Sequence, residues 1–154
     1  MKKVFLLFAV ALCITEVGSA QAKSVFFELG GPGLASINFD SRFSKSEAGI
    51  GGRIGLGGFS IDGESVVFIP VGLNYIVGKD NKNYFEIGAG VTPVVTNIGN
   101  DNGDNFSSTF GHLLFGYRMQ PLNGGFTFRA FINPVFGSGF FVPYYGGVSF
   151  GYKF

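Results

Sequence analysis

Val66-Val67-Phe68-Ile69-Pro70-Val71-Gly72-Leu73-Asn74-Tyr75-Ile76-Val77 is the stretch on which the reading of this chain turns. Val67, Ile69, Val71, Leu73, Tyr75 and Val77 recur at every second position. A period of two is that of a strand, whose successive side chains point to opposite faces. The same alternation returns in Tyr84 to Val95, where Phe85, Ile87, Ala89, Val91, Pro93 and Val95 share a face. It returns again in Phe126 to Phe136, and in the last residues, where Val148, Phe150, Tyr152 and Phe154 alternate with Ser149, Gly151 and Lys153. No 3.6-residue pattern occurs after Lys23. The expected fold class is therefore all-β.

The second face of these strands decides what surrounds them. It carries glycines such as Gly51, Gly55, Gly57, Gly72, Gly88 and Gly90. Among them stand the acids Glu28, Asp40 and Glu86 and the bases Arg42, Arg53, Arg118, Arg129 and Lys153. Ser36, Asn38, Asn74, Thr127 and Asn133 lie in the same phase. If the apolar faces packed inward, the outside of the protein would be largely glycine with few charges, a poorly soluble surface. The inverted arrangement, apolar outside and polar inside, suits a closed barrel in lipid, where closure satisfies every backbone N–H and C=O without water. The chain is thus expected to be a closed antiparallel up-and-down transmembrane β-barrel of about eight strands.

Composition agrees. The chain has 154 residues, 46% hydrophobic, 17% aromatic and only 14% charged. That is room for one domain. Disordered chains are poor in aromatics and rich in charge. A net charge of +1 without a basic cluster argues against nucleic acid as a partner.

The N-terminus reads as an export signal. Lys2 and Lys3 precede the apolar run Val4 to Ile14, and Ala20-Gln21-Ala22 is an A-x-A cleavage site. The apolar run is too short for a membrane helix, which takes about 20 residues. Residues 1–22 are expected to be removed, leaving 23–154 as the barrel. Cys13, the only cysteine, would leave with them, along with any disulfide or thiolate chemistry. Leu12 before it does not suit lipidation.

Turn residues divide the rest. Ser44-Lys45-Ser46-Glu47, Lys79-Asp80-Asn81-Lys82 and Pro121-Leu122-Asn123-Gly124 are short connections. Asp62-Gly63-Glu64, the longer Asn97 to Asn105, and Gly137 to Phe141 alternate with them. Outer-membrane barrels put short turns at the periplasmic end and longer loops outside. Counting back from a periplasmic C-terminus, the parity closes at eight if Gly31-Pro32-Gly33 splits the first stretch into strands 24–30 and 34–43. Pro70, Pro93 and Pro134 interrupt strand patterns, and bulges or frayed ends are expected there. Tyr75, Tyr144 and Tyr145 are candidates for an interfacial aromatic girdle.

An eight-strand barrel has an interior that side chains fill. The charges on the inner face need partners, because a buried unpaired charge costs several kcal/mol. Glu28, Asp40, Arg42, Arg53, Glu86, Arg118, Arg129 and Lys153 are therefore expected to form a lumen charge network, with the glycines making room for them.

The C-terminal Val148-Ser149-Phe150-Gly151-Tyr152-Lys153-Phe154 resembles the outer-membrane insertion signal, a terminal aromatic preceded by alternating apolar residues. The resemblance implies recognition by the barrel assembly machinery, with Val148, Phe150, Tyr152 and Phe154 as the signal. The whole segment after residue 22 is similar to small eight-stranded outer-membrane barrels of the OmpX/OmpA-transmembrane type. More closely it resembles a group of short outer-membrane β-barrel proteins, through Glu28-Leu29-Gly30-Gly31, Ser36 to Phe43, Pro70 to Tyr75 and Phe85 to Thr92. What this implies is a bacterial outer-membrane address, membrane lipids as surroundings and a monomer. It brings no catalytic residue.

Candidate chemistry is sparse. His112 is the only histidine. Some outer-membrane barrels cleave lipid A or phospholipid with a Ser–His pair, and Ser107, Ser108 and Glu86 are conceivable partners. His112 is in phase with Arg118, however, which points it into the lumen, and no G-x-S-x-G occurs. A narrow channel lined by Arg42, Arg53, Glu86, Arg118 and Arg129 is the other alternative to a structural or interaction role. Asp101-Asn102-Gly103-Asp104-Asn105 offers oxygens to calcium but lacks the EF-hand's later glutamate and flanking helices. Neither a cofactor nor a metal is expected.

Overall fold

The computed structural model describes residues 21–61, 64–97 and 105–154. The signal-peptide assignment, the calcium-friendly stretch 101–104 and most of the longer connection after Asn97 lie outside them. The strand segments are β1 (Lys23–Gly30), β2 (Ala35–Arg42), β3 (Gly49–Ile61), β4 (Glu64–Phe68), β5 (Val71–Val77), β6 (Asn83–Asn97), β7 (Asn105–Met119), β8 (Gly125–Ile132), β9 (Val135–Gly137), β10 (Phe140–Val142) and β11 (Gly146–Lys153). They make eight barrel strands, because β4 with β5, β8 with β9, and β10 with β11 are each one strand interrupted. Every pairing is antiparallel between neighbours in sequence. The barrel closes where β1 pairs with β11, Ser24 opposite Lys153 and Gly30 opposite Gly147. Phe154 N–H donates to the Lys23 carbonyl at 2.9 Å, tying the last residue to the start of β1.

The split of the first stretch has a local cause. Gly31-Pro32-Gly33 forms one 3-10 turn between β1 and β2. Gly30 and Gly31 take φ of 77° and 69°, a region open to glycine and costly for other residues. Leu34 N–H closes the turn on the Gly31 carbonyl at 3.2 Å.

The three prolines behave differently from one another, and only Pro134 lies at a bulge. At Pro70 the strand opens between β4 and β5, yet its register is unchanged. Phe68 faces Val94 before the gap and Val71 faces Val91 after it. The Pro70 carbonyl still accepts from Gly55 N–H at 2.8 Å, so a single missing donor interrupts the ladder without shifting it. Pro134 is alike, its carbonyl accepting from Leu113 N–H at 2.9 Å. Pro93 causes no break at all and sits inside β6 opposite Thr109. The other edge of Pro134's strand carries the bulge, as expected there. Val135 pairs with Val142 and Ile132 with Gly146, so two residues on one strand face the three residues 143–145 on the other.

A second correction concerns the connections. Gly137 to Phe141 is not a longer loop. Gly137 pairs directly with Phe140 across Ser138-Gly139, a two-residue hairpin in which Gly139 takes φ of 85°. That conformation is cheap for glycine and makes the tight turn feasible.

The apolar faces point outward. Ile37 and Leu56 expose 63% and 61% of their surface, and Phe27, Leu73, Phe85, Val91, Phe126 and Tyr152 are exposed with them. Most of the buried side chains are instead polar or charged: Glu28, Asp40, Arg42, Asn74, Glu86, Arg118 and Arg129 are almost fully enclosed. At 15 residues each, β6 and β7 exceed the about 9–11 that cross a bilayer. Neither strand therefore fits wholly within that thickness.

Candidate functional site: the charged lumen

Alternation places one residue in two inside the barrel, and antiparallel register brings residues from distant strands to one level. Asp40 on β2 is the hub. Its Oδ1 accepts from Arg42 Nη2 at 2.9 Å and from Arg118 Nη2 at 2.9 Å. Arg129 Nη2 stands 3.7 Å from its Oδ2. Asn74 on β5 joins this carboxylate to a second one, its Nδ2 donating to Asp40 Oδ2 and, at 2.8 Å, to Glu86 Oε1. Asn74 Oδ1 in turn accepts from Arg42. Glu86 on β6 also pairs with Arg118 at 3.4 Å and with Arg129 at 3.6 Å. Each of these charged side chains is at most 1% exposed.

A second cluster lies on β1 to β3. Arg53 Nη2 donates to Glu28 Oε1 at 2.8 Å and to Asn38 Oδ1 at 2.9 Å, and Asn38 Nδ2 donates to Ser36 Oγ at 2.8 Å. Phe26 lies between the two clusters. The Arg129 guanidinium sits 3.8 Å from its ring centroid and that of Arg53 5.3 Å from it. An aromatic face attracts a desolvated cation. The ring thus lies within reach of two like charges and attracts both.

The third group closes the end where β1 begins and β11 ends. Lys153 Nζ pairs with Glu47 and donates to the backbone carbonyls of Pro121 at 3.0 Å and Leu122 at 2.6 Å. Gln120 Nε2 donates to Glu47 Oε2 at 2.8 Å, and Gln120 Oε1 accepts from Arg118 Nε at 2.8 Å. The floor is therefore tied to the hub.

All eight charged residues read from the sequence as a lumen set are inside, in three linked groups. Glu47, Phe26, Gln120 and Asn74's bridging position were not foreseen as members. Glu47 belongs to a turn, where no period assigns a face. Phe26 is apolar, so its inward phase carried no signal of polar contact.

The glycines set the room available. A Cβ on Gly51 would stand 2.2 Å from Arg42 Cζ and 2.6 Å from the Ser41 carbonyl oxygen. One on Gly151 would meet Phe26 Cβ at 2.4 Å.

His112 is buried in the lumen, 2% exposed, with its Nδ1 3.2 Å from Thr92 Oγ1. A histidine enclosed there cannot meet an ester bond in the bilayer. No group of three His, Cys, Asp or Glu residues that could hold a metal ion occurs among the described residues. Of the girdle candidates, Tyr75 and Tyr144 are exposed, whereas Tyr145 turns inward past the bulge. Val148, Phe150, Tyr152 and Phe154 lie along the outward face of the closing strand, the last three exposed.

An eight-strand closed barrel with an apolar exterior and an ion-paired interior defines the class: an integral β-barrel protein of the outer-membrane type. Solved structures place it there by fold. The N-terminal β-barrel domain of Pseudomonas aeruginosa OprF is similar over 89% of this chain and 99% of its own, with a TM-score of 0.63 at 13% identity. The Yersinia pestis outer membrane protein Ail in a phospholipid bilayer nanodisc is similar over 87% of this chain and 98% of its own, with a TM-score of 0.57 at 14% identity. No protein-family model and no curated protein matches the chain.

Proposed function

We propose that this protein is a small resident barrel of the bacterial outer membrane with a structural or interaction role, and that its lumen is filled by its own side chains and carries no flux. The observation that supports this most is the hub at Asp40. It ties Arg42, Arg118 and Arg129 to Glu86 and Asn74, joining side chains from five barrel strands across the bore. Any ion crossing the lumen would have to displace paired charges, each of which is costly to leave unpaired. The purified barrel in a planar bilayer gives no discrete conductance steps on this reading. Reproducible steps from the folded monomer overturn it.

The protein acts without catalysing lipid chemistry. His112 has Thr92 as its ring contact and lies inside the wall. The acyl profile of lipid A and phospholipid, read by mass spectrometry, is the same in cells expressing the protein and in cells expressing His112→Ala.

Export rests on residues 1–22, with cleavage after Ala22. Assembly rests on the terminal strand, whose outward Val148, Phe150, Tyr152 and Phe154 offer the assembly machinery an apolar edge for strand addition. Deleting Phe154 lowers the yield of assembled barrel in cells while the purified chain still refolds in detergent. Equal yields would count against the signal.

A further inference from the structure

The charged network accounts for the lumen towards the end where β1 begins and β11 ends, but the opposite mouth has another character. There the inward residues are apolar: Phe68 on β4, Phe110 on β7, Val135 on β9, and Phe140 and Val142 on β10. Pro32 and Leu34, from the turn between β1 and β2, complete the wall. These residues line an open-mouthed cavity of about 270 Å³ whose exposed lining is wholly apolar, with Leu34, Phe140 and Val142 exposed at its rim. Phe110 holds it in shape, edge-on to Phe68 at 6.5 Å and to Phe140 at 6.4 Å between ring centroids.

A barrel interior is ordinarily polar. Water against a wholly apolar wall forgoes hydrogen bonds, so its displacement by an apolar group is favourable. The ladder beside the cavity is thinned. Pro134 and Pro143 face each other there across the bulge, and neither has an N–H to donate. Asn133 N–H still donates to the Tyr145 carbonyl at 2.6 Å. Val135, Val142 and Tyr145, which line the cavity, flank this seam. A ladder short of two donors next to an apolar space, in a wall with an apolar exterior, sets the cavity beside aliphatic surroundings.

We propose that the mouth of the barrel is a binding site for one aliphatic chain, inserted tail first. The cavity equals roughly nine volumes of ~30 Å³, a methylene group taking about the space of one water, so roughly eight to ten carbons fit. The polar end of the ligand stays at the rim, because the exposed lining is apolar and the one lining side chain with a polar atom, Tyr145, has its hydroxyl buried. The chain reaches no further than the charged layer, where Arg53, Glu28 and Arg129 close the bore.

The test uses the folded barrel in nanodiscs of chain-deuterated lipid, so that bilayer protons are silent. Decanoic acid is added, and nuclear Overhauser contacts are sought between its chain and Phe110, Val135 and Val142. The outward Val71 and Val91 report mere partitioning into the bilayer. A second arm uses protonated lipid without added acid. Contacts to the inward residues in the first arm support a ligand taken from the medium, and in the second a chain drawn from the membrane through the seam. Contacts confined to Val71 and Val91 in both arms overturn the proposal. Val142→Phe, at the open rim, and Val135→Phe, deeper in, each fill the space, and the expected result is at least a tenfold loss of decanoic acid affinity. Both folded variants binding as the parent does would likewise refute it.

Discussion

Asp40→Asn is the sharpest probe of the lumen. The substitution keeps the volume and one acceptor oxygen but removes the charge that Arg42 and Arg118 share at 2.9 Å and that Arg129 faces at 3.7 Å. Glu86 then remains as the only carboxylate among three guanidinium groups. Breaking a buried pair by removing one partner costs about 3–5 kcal/mol, whereas an exposed pair is worth about 0–1 kcal/mol. The two cases are far enough apart to be told from each other. With a urea slope of roughly 2 kcal/mol per molar, a loss of about 4 kcal/mol lowers the unfolding midpoint by about 2 M.

The chain contains no tryptophan, so unfolding of the refolded barrel in vesicles is followed by far-UV circular dichroism. A buried hub also predicts little change with salt, because enclosed pairs are screened much less than exposed ones. The double replacement Asp40→Leu with Arg118→Met removes both partners and recovers part of the loss, as apolar substitutes for a buried pair do. A midpoint shift under about 0.3 M, or one that disappears at high salt, would mean that water screens these charges as at a surface. The account of a closed lumen would then fail.

Three further outcomes follow from the same geometry. Gly51→Val forces a side chain into Arg42 and the Ser41 carbonyl, and overpacking of that kind costs about 1–3 kcal/mol; an unchanged urea midpoint would contradict it. Phe26→Leu removes the ring shared by Arg53 and Arg129 and is expected to cost about 2 kcal/mol or more beyond the lost area, which pairing it with Arg129→Met in a double-mutant cycle can isolate. Asp80 lies in the exposed turn before β6, where the Asn83 side chain and the backbone N–H groups of Asn83 and Lys82 hold its carboxyl below the usual range. Its contribution is therefore present above the ordinary aspartate value near ~4 and is lost as pH falls through the lowered native value. The gap in unfolding midpoint between the parent and Asp80→Ala is open at pH 7 and closes in strong acid; a gap that persists there would refute the linkage.

The barrel was legible because lipid and lumen make opposite demands on alternate residues, and Val67 to Val77 or Phe85 to Val95 record that demand directly. The lumen set was legible for the same reason, since a charge in the inward phase of such a strand has few other places to go. What the period cannot give is height along the bore. Phe68 and Phe110 share a phase with Asn74 and Arg118, yet they line an apolar mouth while the others form the ionic hub. Height depends on register between strands, which no single segment encodes. Phase itself fails at the bulge, where the extra residue in 143–145 puts Tyr145 inward with Phe140 and Val142. Glu47 escaped because a turn residue has no face until the turn is built.

The low identity to OprF and Ail, 13% and 14% over nearly the whole barrel, is what these constraints lead one to expect. Lipid asks only that the outward residue be apolar, and many residues satisfy it. Closure asks that registers add up around the ring, which is a property of strand lengths and turns rather than of particular side chains. Neither demand reaches the inward positions. There the requirement is that charges find partners in a bore of fixed width, and each sequence can meet it with a different set. The Asp40 hub, the Phe26 ring beside two arginines and the apolar mouth are the set by which this chain fills its bore. Whatever distinguishes its task from that of another barrel has to be sought in those inward residues and at the rim above them.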